Sequence, residues 1–410
     1  MKILIITSVF PYPPHNNGVA LRNYNLIKGL KKLNHNITII SYRDSSIDDE
    51  YIDKMMMYCD EIRTVDIRSA IGLIKRILLK ISKYPYNVSR LSSPRMKNEI
   101  NSLDIDQYDY LYCDQTPMAQ FCHNVNIRKI LNAMDSMSMN YLRESKKEKN
   151  FALKIDYFLE GIKYRNYERK IFNNFNKVTL TSEIDKEHFV SFTSHENIEV
   201  IPNGVDVDYF NPDETSNILE VEYSLLFTGI MDYLPNARAV MSFYNNEFKE
   251  LQKIFKSIKF FAVGKNPSIK MEKLSLLDDS FVITGYVKDI RTYFAQASVY
   301  ICPLLTGSGI KNKLLEAMSM RKAIVSTTVS SEGIEKAVNG KNMFIANNKQ
   351  EFVNHVVTLL KDKQLREKMG NEARKCVLNN YSWASMSSRL NSLFVYSSFM
   401  ILYYYCIHFI

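Results

Sequence analysis

Short apolar runs alternate with longer helical stretches along the whole chain, and this alternation constrains the fold more than any other feature. The runs form two series, each member short enough to be a buried strand. The first series is Ile3–Thr7, Ile37–Ser41, Tyr110–Cys113, Lys129–Leu131, Val178–Thr181 and Ile198–Ile201. The second is Leu225–Thr228, Phe260–Val263, Phe281–Ile283, Val299–Cys302, Ala323–Ser326 and Met343–Ile345. The pattern predicts an α/β protein with two doubly wound, Rossmann-like domains, whose ligands bind at the carboxyl ends of parallel strands, in a cleft between the domains.

The length of 410 residues also favours two domains, because a single core rarely serves a chain of this size. A segment rich in proline and glycine, Pro202–Asp206, follows the last run of the first series. We therefore predict a first domain over residues 1–202 and a second over 203–380. Residues 381–410 are predicted to form a helix that returns to the first domain, followed by an apolar tail.

The formal net charge of +9 favours anionic partners such as phosphate esters or acidic lipid headgroups. No arginine-rich arm, zinc-finger spacing or RNA-binding signature is present, so nucleic acid is not an expected partner. The six cysteines are scattered and contain no C-x-x-C pair, which favours a reducing, cytoplasmic location. No group of His, Cys, Asp and Glu has metal-ligand spacing, so no metal is expected.

A segment of the second domain has the pattern of a phosphate site. The predicted strand Val299–Cys302 is followed by a turn containing Gly307, Ser308 and Gly309, and then by a helix that carries three charged residues, Lys311, Lys313 and Glu316. Free backbone N–H groups and the positive end of a helix suit a phosphate. A carboxylate one turn further on is placed to accept hydrogen bonds from sugar hydroxyls. The combination predicts a nucleotide-sugar site, although either lysine is also compatible with a solvated helix face.

Other candidate residues follow predicted strands. In the second domain they are Gly229, Asn236, Gly264, Tyr286 and Val287, and in the first domain Gly18, Asp114 and Asp135. Glycine at a strand end lets a ligand approach the backbone. An aspartate at a strand's carboxyl end fits a polar site. Ordinary turns, a core aromatic and a helix N-cap are the simpler readings of these residues.

The segment 307–316 resembles the donor-binding signature of the family 4 glycosyltransferases, which have the two-domain GT-B fold. A subgroup of that family reads Gly-Ser-Gly-Ile-Lys-Asn-Lys before its glutamate, as residues 307–313 do here, and Met231–Asn236 is similar to its Met-Asp-Tyr-x-Pro-Asn motif. The sequence departs from the wider family at Ser308, where a first glutamate is usual, and in lacking a clear arginine–lysine pair after Thr228. The resemblance implies that Gly18 faces the donor diphosphate, that Tyr286 and Val287 lie near the base, and that Asp135 positions a sugar. It also implies a metal-independent reaction with retention of anomeric configuration.

The sequence is therefore interpreted as a glycosyltransferase that moves a hexosyl or related sugar from a nucleotide-sugar donor to a saccharide or lipid-linked acceptor. The nucleotide sugar is a substrate, and no cofactor is expected. Lys311, Lys313, Asp114 and Asp135 are the predicted catalytic residues, with Lys311 ranked before Lys313 as the group that stabilises the departing diphosphate. A nucleotide-sugar epimerase of similar architecture and a catalytically inactive binding scaffold are the alternatives.

Two segments suggest contact with a membrane. No charged residue follows Arg389, and a run of about 20 apolar residues is needed to span a bilayer. The run Val395–Ile410 is compatible with packing on the first domain, interfacial anchoring or a marginal span. Residues 71–83 combine an isoleucine stripe with lysines and arginine, which is typical of an interfacial helix and also of a surface helix packed on its own core. We predict peripheral attachment to the anionic cytoplasmic face of the membrane, in envelope polysaccharide, lipopolysaccharide or glycolipid biosynthesis.

Overall fold

The computed structural model describes residues 1–14, 17–67, 73–306 and 309–394. Gly307, Ser308 and the run 395–410 therefore lie outside the described residues. The chain divides into two compact units. Unit 1 comprises Met1–Pro202 together with Met386–Ile410, and unit 2 comprises Asn203–Ser385.

Unit 1 is built on a parallel sheet of seven strands in the order β3-β2-β1-β4-β5-β6-β7. The strands are β1 Lys2–Thr7, β2 Asn36–Arg43, β3 Glu61–Asp66, β4 Tyr110–Asp114, β5 Lys129–Met134, β6 Lys177–Leu180 and β7 Ile198–Val200. The helices are α1 Gly18–Lys32, α2 Asp49–Met56, α3 Leu73–Ile81, α4 Tyr86–Arg90, α5 Pro94–Asn101, α6 Ala119–Cys122, α7 Met137–Lys147, α8 Phe151–Ile171 and α9 Glu183–Val190. Strand order reverses between β1 and β4, which makes their carboxyl ends the topological switch point of this sheet.

Unit 2 repeats the design with six parallel strands in the order β10-β9-β8-β11-β12-β13. These are β8 Ser224–Thr228, β9 Lys259–Val263, β10 Phe281–Ile283, β11 Val299–Cys302, β12 Ala323–Thr327 and β13 Phe344–Ala346. Its helices are α10 Leu234–Phe243, α11 Lys249–Ile254, α12 Ile269–Leu277, α13 Arg291–Gln296, α14 Asn312–Ser319, α15 Thr328–Ser331, α16 Lys349–Lys361 and α17 Lys363–Asn380. The switch point lies between β8 and β11.

The central strands form because both of their faces are covered. All residues of β8 and β11 are buried, and in β1 only Lys2 is exposed. Continuous apolar runs are what a parallel sheet between two helix layers requires. The strand β3 was not predicted, because it is an edge strand in which only Val65 is buried, so its sequence Glu-Ile-Arg-Thr-Val-Asp carries no continuous apolar run.

Residues 383–394 are helical, and the part from Met386 onward packs on unit 1. The Tyr110 hydroxyl donates to the Phe394 carbonyl at 2.7 Å, and the Lys177 ammonium donates to the Leu393 carbonyl at 2.9 Å. Both donors lie at strand starts, so this helix ends at the amino edge of the unit 1 sheet. Within the described ranges, no helix is both long and apolar enough to cross a membrane.

Candidate functional site

Two glycines open the carboxyl edge of the unit 2 sheet. Gly229 directly follows β8 with φ of 155°, and its N–H donates to the Val263 carbonyl at 3.0 Å. Gly264 follows the neighbouring strand β9 with φ of 149°. A Cβ atom added at Gly264 would lie 1.8 Å from the Gly229 carbonyl oxygen, so no side chain fits there. The two glycines therefore let the strand ends approach each other closely at the switch point.

Lys313 lies beside this opening. Its ammonium donates to Asn236 Oδ1 at 2.6 Å and lies 4.2 Å from the centre of the Phe227 ring. Asn236 is oriented in turn, because its Nδ2 donates to the Ile230 carbonyl at 2.8 Å. A Cβ added at Gly229 would come within 2.7 Å of both Lys313 Nζ and Asn236 Nδ2. The fold therefore brings together three residues that the sequence suggested separately: the Lys313 ammonium, the Asn236 amide and the Gly229 backbone, which carries no side chain.

The charge on Lys313 is poorly compensated. Burial lowers the pKa of its ammonium to about 8, and the nearby Lys311 charge acts in the same direction, while Cys302 and Glu316 oppose it. No carboxylate among the described residues lies within ion-pair distance of its Nζ. A cation that is desolvated without a counter-ion is a favourable partner for an anionic ligand.

Glu316 lies three residues further along α14, on the same helix face as Lys313. It is partly buried, and this burial raises the pKa of its carboxyl to about 7, against the opposing charge of Lys313. Its carboxylate makes no hydrogen bond to another described residue. The oxygens are therefore available as acceptors, as the predicted role in binding sugar hydroxyls requires.

Lys311 lies beside the glycine turn, and its predicted role in stabilising the diphosphate stays a prediction. It occupies the N-cap position of α14, and its ammonium donates to the Gly309 carbonyl at 2.7 Å. Gly333 supports this loop closely, because a Cβ added there would lie 2.6 Å from the Ile310 nitrogen. The lysine thus ties the described end of the glycine turn to the start of the helix, while Lys313 is the one that meets the strand-end opening.

The predicted base region, after β10, contains one exposed and one packed residue. Tyr286 is 79% exposed, whereas Val287 packs against the core of unit 2. The pair does not form an enclosed slot within unit 2.

Sequence reasoning assigned no site role to Tyr209, Asp289 or Arg291. The Arg291 guanidinium lies 4.3 Å from the centre of the Tyr209 ring and pairs with the Asp289 carboxylate at 2.7 Å. Burial raises the pKa of Tyr209, with the charges of Asp289 and Glu316 among the further causes, so this cluster extends toward Glu316. Tyr209 and Arg291 are 82 residues apart in sequence, so no local pattern indicates that they meet.

In unit 1, Asp114 lies at the switch point but is fully buried. Its carboxylate accepts hydrogen bonds from Asn132 Nδ2 at 2.7 Å, Asn23 Nδ2 at 2.8 Å and the Thr7 hydroxyl at 3.1 Å. Desolvation raises the pKa of this carboxyl, against those hydrogen bonds. The arrangement gives Asp114 a structural task in joining β1, α1, β4 and β5, and its catalytic role stays a prediction.

Asp135 follows β5 and accepts a hydrogen bond from the Thr181 hydroxyl at 2.7 Å. It is not a helix N-cap, since Ser136 caps α7. The neighbouring Asp185 is buried, and this burial, together with the Asp135 charge, raises the pKa of Asp185 to about 6. Gly18 begins α1 with open space around its Cα. The structure therefore places Asp135 and Gly18 at the carboxyl edge of the unit 1 sheet, where their roles stay predictions.

No three His, Cys, Asp or Glu side chains in the described part of the chain are grouped so that they could hold a metal ion. The site geometry in unit 2 is thus built from lysines, an amide, a glutamate and backbone groups.

Residues 222–362 match the family model for glycosyl transferases group 1. The match contains Gly229, Asn236, Lys313 and Glu316. Over 405 residues the chain is 22% identical to an uncharacterized 44.6 kDa protein in the cps region of Klebsiella pneumoniae, which covers 93% of this chain and 96% of that protein. It is 25% identical over 231 residues to the capsular polysaccharide biosynthesis glycosyltransferase CapM of Staphylococcus aureus, covering 52% of this chain and 58% of CapM.

Among solved structures, HepE of Anabaena in complex with UDP has a TM-score of 0.69 at 12% identity, covering 96% of this chain and 99% of that one. The likeness confirms the predicted fold class, α/β with two doubly wound domains of the GT-B type. The family match and the shared fold together support a glycosyltransferase. The subgroup motifs remain predictions.

Proposed function

We propose that the protein transfers a sugar from a nucleotide-sugar donor to a hydroxyl group of a saccharide or lipid-linked acceptor. The observation that carries this proposal is the joint placement of Lys313, Asn236 and Glu316 at the glycine-opened switch point of unit 2, inside the segment that matches the family model. A nucleoside diphosphate supplies the counter-charge that Lys313 lacks, and its ribose supplies donors for the Glu316 carboxylate.

In this proposal the main chemical task of unit 2 is to stabilise the leaving diphosphate. Negative charge grows on the bridging oxygen as the bond to the sugar breaks, and a fixed cation in a partly desolvated site stabilises that charge by several kcal/mol. Asn236 holds the Lys313 ammonium in place through its 2.6 Å hydrogen bond, so little reorganisation is needed at the moment of reaction. We further propose transfer of a hexosyl or related sugar with retention and without a metal.

We propose a uracil nucleotide as the first donor to be tested, because HepE was solved in complex with UDP. The similarity to CapM, a capsular polysaccharide biosynthesis glycosyltransferase, supports a role in polysaccharide biosynthesis. Lipopolysaccharide or glycolipid acceptors remain part of the proposal on the basis of the net charge of +9 alone.

We also propose peripheral attachment to the cytoplasmic membrane face, supported by the uncharged run 395–410. Deleting residues 395–410 is expected to move the protein into the soluble fraction while nucleotide binding is retained. Unfolding or aggregation of the truncated protein would show instead that the run belongs to the core. Extraction of the full-length protein by high salt alone would mean that charge, and not this run, holds it.

The decisive experiment is a panel of UDP-, GDP- and other nucleotide sugars, measured first by thermal shift and then by release of nucleoside diphosphate. A transferase releases the diphosphate slowly, and faster when an acceptor is added. Conversion of the donor sugar itself would establish the epimerase. Binding without either reaction would establish the inactive scaffold.

A further inference from the structure

Helix α8 carries a stripe of apolar side chains that faces away from its own unit. Phe151, Ile155, Phe158 and Ile162 recur at the spacing i, i+4, i+7 and i+11, which normally marks the buried side of a helix. Here all four are exposed, Phe151 by 76%. The opposite side of α8 is the buried one, and it contains Tyr164, Tyr167 and Ile171. The stripe therefore does not belong to the core of unit 1.

Helix α3 enlarges this apolar surface. Its Ile77, Leu78 and Ile81 are also exposed, Ile81 by 75%. The two helices lie side by side, because Lys80 pairs with Asp156 at 2.6 Å and the Lys163 ammonium donates to the Lys80 carbonyl. We call the surface formed by Ile77, Leu78, Ile81, Phe151, Ile155, Phe158, Leu159 and Ile162 the α3–α8 face. A contiguous exposed apolar patch of this kind marks an interaction surface.

The charge around the α3–α8 face is strongly positive. Residues 73–83 contain four lysines and arginines and no acidic residue, and residues 137–171 contain nine basic and five acidic residues. These two segments therefore carry a net charge of +8, which is most of the +9 of the whole chain. Exposed apolar side chains on helices rich in lysine and arginine match an anionic bilayer surface, where both kinds of group are satisfied together.

The α3–α8 face lies beyond the carboxyl edge of the unit 1 sheet. The N–H of Ser138, near the start of α7, donates to Glu168 near the end of α8, and Leu142 lies against Gly161. The helices α7 and α8 thus form an antiparallel hairpin, in which α7 begins just after the carboxyl end of β5. The first half of α8 projects away from that strand end, on the side where Asp135 and Gly18 lie.

We propose that the α3–α8 face is a docking surface for an anionic lipid bilayer, which holds the carboxyl edge of unit 1 against the membrane. A lipid-linked acceptor would then be presented on the side where the predicted acceptor residues lie. Only this last consequence rests on the proposed function, because docking itself requires no turnover.

The test is co-sedimentation of the full chain with vesicles of phosphatidylcholine containing one-third phosphatidylglycerol. The variant Phe151→Ser/Ile155→Ser/Phe158→Ser removes the stripe. Its matched control, Ile269→Ser/Leu276→Ser/Leu277→Ser, replaces three equally large exposed residues of α12 in unit 2. We expect the stripe variant to partition at least about tenfold more weakly than the wild type. The control is expected to partition like the wild type, and both are expected to unfold at or above the wild-type temperature.

A charge variant tests the second half of the proposal. Arg76→Gln/Lys83→Gln/Lys154→Gln should weaken partitioning into the anionic vesicles about fivefold for each removed cation, with little effect on pure phosphatidylcholine vesicles. Its control is Lys256→Gln/Lys270→Gln/Lys273→Gln, which removes three exposed lysines of unit 2.

Equal partitioning of the stripe variant and its control would overturn the proposal, since residues 395–410 are present in both. So would an absence of vesicle binding by the wild type. A wild-type dimer that becomes monomeric in the stripe variant, with unchanged vesicle binding, would show that the face joins two copies of the chain. Loss of vesicle binding in a protein that transfers no sugar would leave docking supported and the proposed function refuted.

Discussion

Replacing Lys313 by methionine should make the protein more stable and impair nucleotide binding at the same time. Burial lowers the pKa of Lys313 from 10.5 to about 8, which corresponds to a penalty of roughly 3 kcal/mol for holding the ammonium in the fold at pH 7. Two effects reduce this figure in the variant: the Lys313 side chain is partly exposed, and its hydrogen bond to Asn236 is lost. We therefore expect Lys313→Met to gain about 1–2 kcal/mol in the free energy of unfolding. Methionine keeps most of the length of the unbranched side chain and can pack against the Phe227 ring.

The same unit contains a matched control. Burial also lowers the pKa of Lys322 from 10.5 to about 8, and its ammonium donates to the Ala297 carbonyl at 2.6 Å. Lys322 directly precedes β12, at the edge of the sheet opposite to Lys313. Lys322→Met should therefore give a similar gain in stability without touching the candidate site.

Both variants are measured by urea unfolding at pH 7 and pH 9.5 and by calorimetric titration with the nucleotide sugar selected from the panel. A lysine with a lowered pKa releases its proton in the folded state first, so wild-type stability rises with pH from about 8 toward 10.5, and the advantage of each variant shrinks over that range. Donor affinity should fall about tenfold or more in Lys313→Met alone, because one charge-assisted contact is lost. The proposed role of Lys313 in donor binding would be refuted if Lys313→Met bound the donor as tightly as the wild type, or if Lys322→Met lost as much donor affinity as Lys313→Met.

Three further outcomes are expected. Donor affinity of the wild type should rise as the pH passes the Glu316 pKa of about 7, because the ionised carboxylate is the better acceptor. Glu316→Gln should bind the donor about tenfold more weakly at pH 8, and its affinity should no longer rise with pH. If the rise persists in Glu316→Gln, another group causes the pH dependence. Gly229→Ala should weaken donor binding by pushing Lys313 aside. Gly340 also has a positive φ but open space around it, so Gly340→Ala should bind normally in the same titration. Burial raises the pKa of Glu168 to about 8, so wild-type stability is lost as the pH rises from 4.5 to 8. Glu168→Gln should therefore gain about 2 kcal/mol at pH 7 and much less at pH 4.5 in urea unfolding, and an unchanged stability at pH 7 would contradict the burial argument.

Much of the fold was predictable because the central strands of both sheets are buried on both faces. A continuous apolar run such as Val299–Cys302 indicates a strand that is covered on both faces, as the central strands of a parallel sheet are. The edge strand β3 was missed for the same reason in reverse, since a half-exposed strand keeps its charged residues. The local sequence pattern therefore predicted the apolar strands of each sheet, edges included, and missed only the charged edge strand β3.

The site was predictable where its residues share one element. Lys313 and Glu316 are three apart on α14, and helical periodicity alone puts them on one face. Their ranking relative to Lys311 stays a prediction, because helical periodicity does not fix the direction of a side chain at the N-cap position that Lys311 occupies. The burial of Asp114 was equally hidden, since its donors come from three segments that are distant in sequence.

The two switch points differ in a way that points to where the donor binds. In unit 1 the carboxylate at the switch point is satisfied, because the buried Asp114 receives three hydrogen bonds from Thr7, Asn23 and Asn132. In unit 2 the charged groups are not satisfied: Lys313 has an amide and a ring in place of an anion, and the Glu316 carboxylate has no donor among the described residues. Desolvated groups without partners make the folded protein less stable. An anionic ligand with hydroxyl donors would offset this loss of stability. The asymmetry supports the proposed placement of the nucleotide sugar in unit 2, since the Asp114 carboxylate at the corresponding place in unit 1 already has three donors.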